Sequence, residues 1–341
     1  MLQKWSVTLP ISHNPEWDYN GIIYEFSDGI AFFYKELSVG LIAVRISQDG
    51  QLVQTNEYQS VKTTIPAWWM ISPADPRLLV CGEGLAFRMD TLTILDDPPE
   101  DLLRQFQDKR QQHHFEDDPF DFDHYRIEHT TSFGYRCRDL RDGKVLWKRS
   151  LNGYLYHDMI RVPGTNLILI CTAGHGGSVY AVDLPTGEIR YEVKTGGTRH
   201  IALSETCCYC YKIGKTGELL KVDLQSGTVL DSTPLAFTDI DCPLYRTSTG
   251  EIIAFSRIKV SKTEWQPVLS CFTDDGEIRV CDECGSRFLA SSSRMQNLCP
   301  ECASVIYGYE NCSHVFQNGR CTRCLWDGSR SDYIQSLIQK D

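Results

Sequence analysis

A chain of 341 residues, 42% hydrophobic and 11% aromatic, can bury a large core in one domain or two, and its composition excludes disorder as the default. A formal charge of −11 argues against a general electrostatic grip on nucleic acid, which needs Lys and Arg gathered on one face. The first residues lack the apolar core of a signal peptide and no apolar run nears the roughly 18–20 residues of a membrane span, so a cytoplasmic location is expected.

In chain order, Trp5-Ser6-Val7-Thr8-Leu9 resembles Trp147-Lys148-Arg149-Ser150-Leu151, a strand that leaves a turn. Having no turn of its own, the N-terminal run is expected to complete the last sheet of a ring, whose other strands lie at about 243–275. A free-standing edge strand is the alternative. Apolar, β-branched runs at about 20–60 and 64–97 read as two antiparallel sheets, with Trp68 and Trp69 packing between them.

The rhythm breaks at about 97–123. Residues 96–123 hold ten acidic and three basic side chains, a net of −7. Asp97 and Pro98 read as the start of a short helix, with Glu100 and Asp101 in its first turn and Leu102, Leu103 and Phe106 as its apolar stripe. This acidic insertion is expected to be dispensable for folding and useful for choosing a basic partner. His113 and His114 within it read as solvated loop residues, since adjacent histidines have no fixed ligand geometry.

From 125 to 235 the pattern is most regular. Asp139-Leu140-Arg141-Asp142-Gly143 recurs as 183–187 and as 223–227, at spacings of 44 and 40 residues. Each copy joins two β-forming runs through a turn that places Gly where φ is positive. Looser copies lie at 48–50, 89–92 (without Gly) and 274–276. Six copies at intervals of roughly 40–50 residues predict an all-β fold, a β-propeller of about six blades, with seven possible. Gly174-His175-Gly176-Gly177 lacks the Lys-Ser/Thr and helix of a phosphate loop and reads as a hairpin turn. Cys207, Cys208 and Cys210 fall in a strand and read as small buried hydrophobes.

The copies at Gly143, Gly187 and Gly227 resemble the repeats of the pyrroloquinoline-quinone-type propeller superfamily. The resemblance extends over most of residues 1–280 and implies a fold without an activity, because propellers host unrelated functions. Enzymes of that family are typically eight-bladed, periplasmic and calcium-assisted; this chain has about six copies and no recognisable cofactor-binding set. Cys207-Cys208 resembles the vicinal disulfide of those enzymes.

Of fifteen cysteines, seven fall within 281–324. Cys281 and Cys284 form one Cys-x-x-Cys knuckle and Cys299 and Cys302 a second, separated by 14 residues. Two such knuckles supply the four thiolates that a tetrahedral zinc prefers. Cys312 and His314, then Cys321 and Cys324 after six residues, supply three sulfurs and an imidazole. Two structural zinc ions are expected, bound in sequential ribbons rather than in the cross-braced wiring of ubiquitin-ligase fingers. Ser331 is expected to cap a last short helix whose Tyr333, Ile334, Leu337 and Ile338 dock on the propeller or on a partner.

The predicted domains are a propeller over 1–280, a tandem zinc ribbon over 281–328 and a helix over 329–341. A non-enzymatic interaction scaffold is expected. The alternatives are nucleic-acid binding through the ribbons, disfavoured by their net charge of −1, and a component of a ligase or quinone-dependent enzyme.

Overall fold

The computed structural model describes residues 1–10, 21–36, 40–58, 69–81, 84–112, 119–131, 133–214, 216–238, 242–262, 264–273, 278–317, 319–321 and 323–338. Trp68, His113, His114 and the turn at 274–276 lie outside them. The chain divides into two compact units, one of residues 6–270 and one of residues 1–5 with 271–341.

Four sheets each take four consecutive strands, hydrogen-bonded in chain order. The first is Gly21–Phe26, Gly29–Glu36, Gly40–Ser47 and Leu52–Tyr58. The second is Trp69–Ile71, Leu78–Cys81, Leu85–Arg88 and Thr93–Ile94. The third is Phe120–Phe122, Tyr125–Thr131, Gly134–Asp139 and Val145–Ser150. The fifth is Ile201–Leu203, Cys207–Lys212, Glu218–Asp223 and Val229–Pro234.

The fourth sheet is Tyr154–Arg161, Leu167–Asp183 and Ile189–Gly197. Its long middle strand folds back on itself at 174–177. Leu184 N donates to Asn166 O at 2.8 Å, and Ser178 N to Thr172 Oγ1 at 2.9 Å, so the two halves lie side by side as in the other sheets. Residues 174–177 therefore turn a hairpin.

The sixth sheet runs Leu244–Arg246, Ile252–Lys259, Trp265–Thr273 and, outermost, Leu2–Thr8. Leu9 N donates to Pro267 O at 2.9 Å, as Leu151 N donates to Phe133 O at 2.9 Å, so the likeness of the two Trp-to-Leu runs is a likeness of position. Trp5 is only half-buried, whereas Leu9 is 1% exposed; the anchor of this strand is the leucine.

Six antiparallel meanders, the last sharing a strand from the chain's beginning, are the blades of a β-propeller. The second strands read as continuous apolar runs because both their faces are covered: Leu78–Cys81 is buried throughout, as is Ile252–Lys259 up to Arg257. Blades pack on neighbours through shared clusters. Phe33 and Leu41 of the first blade meet Leu79 and Phe87 of the second, Cys137 and Trp147 of the third meet Ile168 and Val182 of the fourth, and Cys171 and Val179 meet Cys208 and Leu220. The fifth blade reaches the sixth through Tyr211, whose hydroxyl donates to Pro243 O and accepts from Phe255 N at 2.8 and 2.7 Å. Phe255 in turn packs on Phe32 of the first blade at 5.5 Å, and Ser248 bonds the Glu25 carboxylate twice at 2.7 Å.

The Asp-Leu-x-x-Gly copies show why those residues are needed. In each, the Gly N–H donates to the Asp carbonyl at 2.7–2.9 Å, with φ of +75°, +68° and +71° at Gly143, Gly187 and Gly227. Each Asp carboxylate accepts a backbone N–H from within its own turn: Arg141 on Asp139, Thr186 on Asp183, Ser226 on Asp223. The aromatic residue four positions after one Gly lands on the next copy. Trp147 Nε1 donates to Leu184 O at 2.8 Å, and Tyr191 OH to Leu224 O at 3.0 Å. The Gly-less copy puts Leu92 itself at φ +55°.

Helix α1 (Glu100–Gln112) corrects two expectations. It begins after Pro99, whose carbonyl accepts from Leu102 and Leu103 N–H at 3.1 Å, and not at Pro98. Its stripe is core: Leu102 and Phe106 are buried against Met70, Leu78 and Val80 of the second blade. The insertion is also shorter than expected, because Phe120–Phe122 is the first strand of the third blade.

Candidate metal centres

The second unit carries both predicted ligand sets, and each set converges. In each of the two groups, Cys281, Cys284, Cys299, Cys302 and Cys312, His314, Cys321, Cys324, the ligand atoms lie within 4.8 Å of one another and can hold a metal ion. The grouping is sequential.

The first knuckle sits in the hairpin of Ile278–Val280 and Arg287–Leu289. Gly285 N donates to Cys281 O at 2.9 Å and Cys281 N to Ser286 O at 2.8 Å; Gly285 supplies the positive φ (+71°) this tight turn demands. The second knuckle is the first turn of helix α2 (Pro300–Tyr307). Cys299 is its N-cap, with a side chain that accepts from Cys302 N, and Pro300 opens the helix without losing a hydrogen bond. Both sulfurs therefore sit at the positive end of a helix dipole, which favours thiolate. Cys299 N also donates to Cys281 Sγ at 3.3 Å.

The second set repeats the first knuckle with a different residue at its corner. Leu325 N donates to Cys321 O at 2.9 Å and Cys321 N to Trp326 O at 2.8 Å, the pattern of Gly285 and Ser286. Leu325 takes φ +68° without being glycine. The Phe316–Gln317 and Arg320–Cys321 hairpin, turned at Gly319, brings His314 Nδ1 to 3.4 Å from Cys324 Sγ.

Electrostatics single out one lowered cysteine in each centre, Cys281 and Cys321. The eight cysteines outside the two centres are buried, and burial pushes the Cys81 and Cys137 thiols up to about 12. Cys207 and Cys208 are free thiols, so the vicinal disulfide suggested by the family resemblance is not formed. In the first centre Cys281 is drawn down by the Cys299 and Cys302 thiols, which are themselves driven up by the same contacts. Burial opposes ionisation at Cys321, yet His314 and the backbone N–H groups of Arg323, Cys324 and Val315 bring it down to about 6. Sulfurs this close cannot all ionise unless a cation sits among them.

One core serves both centres: Phe288, Leu298, Ala303, Trp326 and Ile334 pack with the buried ligand cysteines. Ile334 belongs to helix α3 (Asp332–Ile338), capped by Ser331 Oγ, which accepts from Ile334 N at 3.2 Å. The expected stripe of α3 thus docks within the metal module, while Tyr333 and Ile338 remain exposed. Leu289 N on Cys324 O at 3.1 Å and Asp327 N on Ser286 Oγ at 3.2 Å pin the two knuckles together.

Sequence reading missed four residues here. Trp326 packs on the His314 ring at 4.7 Å, and Arg330 lies 5.4 Å over Trp326. Glu301, 4% exposed, accepts from Arg330 at 2.9 and 2.6 Å and from Asn311 at 2.6 Å. An acid between two Cys ligands at a Pro-started helix was a readable signal for Glu301; Asn311, Trp326 and Arg330 had none.

The fold and site define a β-propeller with a cysteine-rich module whose two side-chain clusters can each hold a metal ion. No family model matches the chain, and no curated protein does. Among solved structures it is similar to BamB from Moraxella catarrhalis, at 14% identity over 73% of this chain and 79% of that one, with a TM-score of 0.33. It is similar also to the dihydro-heme d1 dehydrogenase NirN (14%, 61% and 45%, 0.31) and to the β-propeller domain of Cps50 (Swd1) from Myceliophteria thermophila (9%, 70% and 79%, 0.32). Likenesses at these scores carry no argument; the propeller rests on its sheets. No helix among the described residues is long and apolar enough to cross a membrane.

Proposed function

We propose that this protein is a non-enzymatic interaction scaffold: a propeller over 1–280, a module over 281–328 folded around two structural zinc ions, and a C-terminal helix over 329–341 packed on that module. The observation that carries the reading is the spacing of the ligand atoms. A tetrahedral zinc with bonds of about 2.3 Å to sulfur and about 2.0–2.1 Å to nitrogen sets neighbouring sulfurs roughly 3.8 Å apart and a sulfur–nitrogen pair roughly 3.5 Å apart. Cys284 and Cys299 Sγ are 3.8 Å apart, Cys312 and Cys321 Sγ 3.9 Å, and Cys324 Sγ and His314 Nδ1 3.4 Å. Four protein ligands close each shell and leave no position for a catalytic water. Buried thiols beside cysteines placed to hold zinc suit a reducing, cytoplasmic setting.

The partner we assign to the scaffold is a protein. Tyr307, Tyr309 and Phe316 are exposed on the zinc module and Tyr333 on the helix that follows it, and aromatic side chains of this kind are enriched at protein interfaces. Arg320 and Arg323, the basic pair that would favour nucleic acid, are engaged within their own knuckle: Arg320 with Asp327 and Leu325 O, Arg323 with Ser313 O. The hydrogen-bonded Trp147 and Tyr191 links support assigning the regular blades to the pyrroloquinoline-quinone-type repeat class.

Metal analysis of protein made without chelator should give two zincs per chain; one or none would sink the reading. Cys284→Ser should unfold the module locally and leave the propeller transition in place. For the scaffold, a co-purifying protein should be lost with Tyr307→Ser and Phe316→Ser together. Salt-sensitive retention on single-stranded DNA would support the nucleic-acid alternative instead.

A further inference from the structure

We propose that Glu301 couples the two metal centres, so that filling either one tightens the other. This rests on the reading above that both ligand sets bind metal.

Glu301 stands in the first turn of α2 between Cys299 and Cys302, two ligands of the first centre, but its side chain belongs to the second. Oε2 faces His314 Nε2 at 3.5 Å and accepts from Asn311 Nδ2 at 2.6 Å. Asn311 in turn accepts from Cys312 N at 2.8 Å, so one carboxylate addresses two neighbouring ligands of the second centre. Arg330 holds the other oxygen with two donors, at 2.9 and 2.6 Å, and fixes the carboxylate plane. His314 Nε2 is buried and makes no hydrogen bond, while Nδ1 is on the Cys324 side, 3.4 Å from its sulfur. A metal taken by Nδ1 requires the tautomer with hydrogen on Nε2, and the acceptor that this N–H meets is Glu301. That is the carboxylate–histidine–metal arrangement by which an outer group orients a ligating imidazole.

The linkage follows from where the carboxylate is mounted. Metal in the first centre fixes Cys299 and Cys302, hence the helical turn that carries Glu301. Glu301 then fixes the ring and tautomer of His314. By reciprocity, metal in the second centre favours the α2 turn that the first centre needs. A carboxylate serving one centre alone would have no need to ride between the ligands of the other.

The test uses the full chain, stripped of metal and titrated with zinc against a chromophoric chelator, and separately with Co²⁺ to read the sulfur–nitrogen site by its visible spectrum. Wild-type protein should take up two ions in one cooperative phase. Glu301→Gln, close in size, should separate the phases and weaken the second centre about 10–100-fold, with the first centre's intrinsic affinity retained. His314→Cys keeps a ligand but removes Nε2, and in that background Glu301→Gln should leave the second centre unchanged. Unchanged phases in Glu301→Gln, or equal weakening with and without His314, would overturn the coupling alone. Fewer than two ions on the wild-type chain would overturn the metal reading and the coupling with it. Circular dichroism of each metal-loaded variant separates misfolding from weak binding.

Discussion

A methyl group added at Gly187 and one added at Gly143 meet different surroundings. Both glycines hold positive φ, at +68° and +75°, but a Cβ on Gly187 would lie 2.5 Å from the Trp147 ring, whereas Gly143 has nothing within 4 Å. Gly143→Ala should therefore cost only the backbone term, about 1–2 kcal/mol. Gly187→Ala should cost about 1–3 kcal/mol more, because Trp147 must leave its bond to Leu184 O. Denaturant unfolding of both variants measures the gap; equal losses would show that the tryptophan yields freely. Beside Gly143, the Arg141 side chain and then its N–H hold the Asp139 carboxyl down at about 2. A lowered carboxyl stabilises the fold fully above the ordinary range, near 3.8, and loses that contribution as the pH falls through about 2. Arg141→Ala should move the acid transition to higher pH, and an unmoved transition would dismiss the ion pair. The repeat spacing made Trp147 and Tyr191 legible as recurring positions. Their landing points were not legible, because each aromatic reaches the turn of the following copy, 37 and 33 residues on.

Among the elements, α1 has the most to lose from a local reading. Its charged residues and its place between repeats suggest a removable surface helix, yet only its outer face is polar; Phe106, 2% exposed, and Leu102, 3% exposed, complete the packing of a blade with short strands. Phe106→Ala should cost about 3–5 kcal/mol, and replacing the helix with a Gly-Ser linker should lower soluble yield. A variant with an unchanged melting temperature would return α1 to the role of ornament. Periodicity announced the stripe but not what covers it, since its contacts come from strands 69–88 that show no matching signal. The convergence of the two Cys and His groups that could hold a metal was legible for the opposite reason: a Cys-x-x-Cys turn makes its geometry within four residues. Glu301, Asn311, Trp326 and Arg330 meet only once two hairpins and two helices have packed, and Leu325 holds a conformation that sequence statistics reserve for glycine.

For the whole molecule, the decisive joint is the sixth blade. Removing residues 1–9 would take away Leu2–Thr8 and the buried Leu9, leaving the edge of Trp265–Thr273 unpaired. The loss of Leu9 alone should cost about 2–5 kcal/mol, and the open edge should drive self-association. A truncated chain that stays monomeric and melts unchanged would mean the strand is not the seal. One closing contact joins Ser6 to Ser270, 264 positions apart. On a ribosome Leu2–Thr8 is therefore made long before the strand it pairs with. Until residue 273 has emerged, at roughly 5–20 residues per second, Leu2–Thr8 waits for tens of seconds with both its hydrogen-bonding edges open. Five blades can form one by one during synthesis, but the sixth is complete only when Leu2–Thr8 meets Trp265–Thr273. Slowing elongation would lengthen that vulnerable interval and feed the nascent chain to chaperones. Moving the strand to follow residue 273 would abolish the wait.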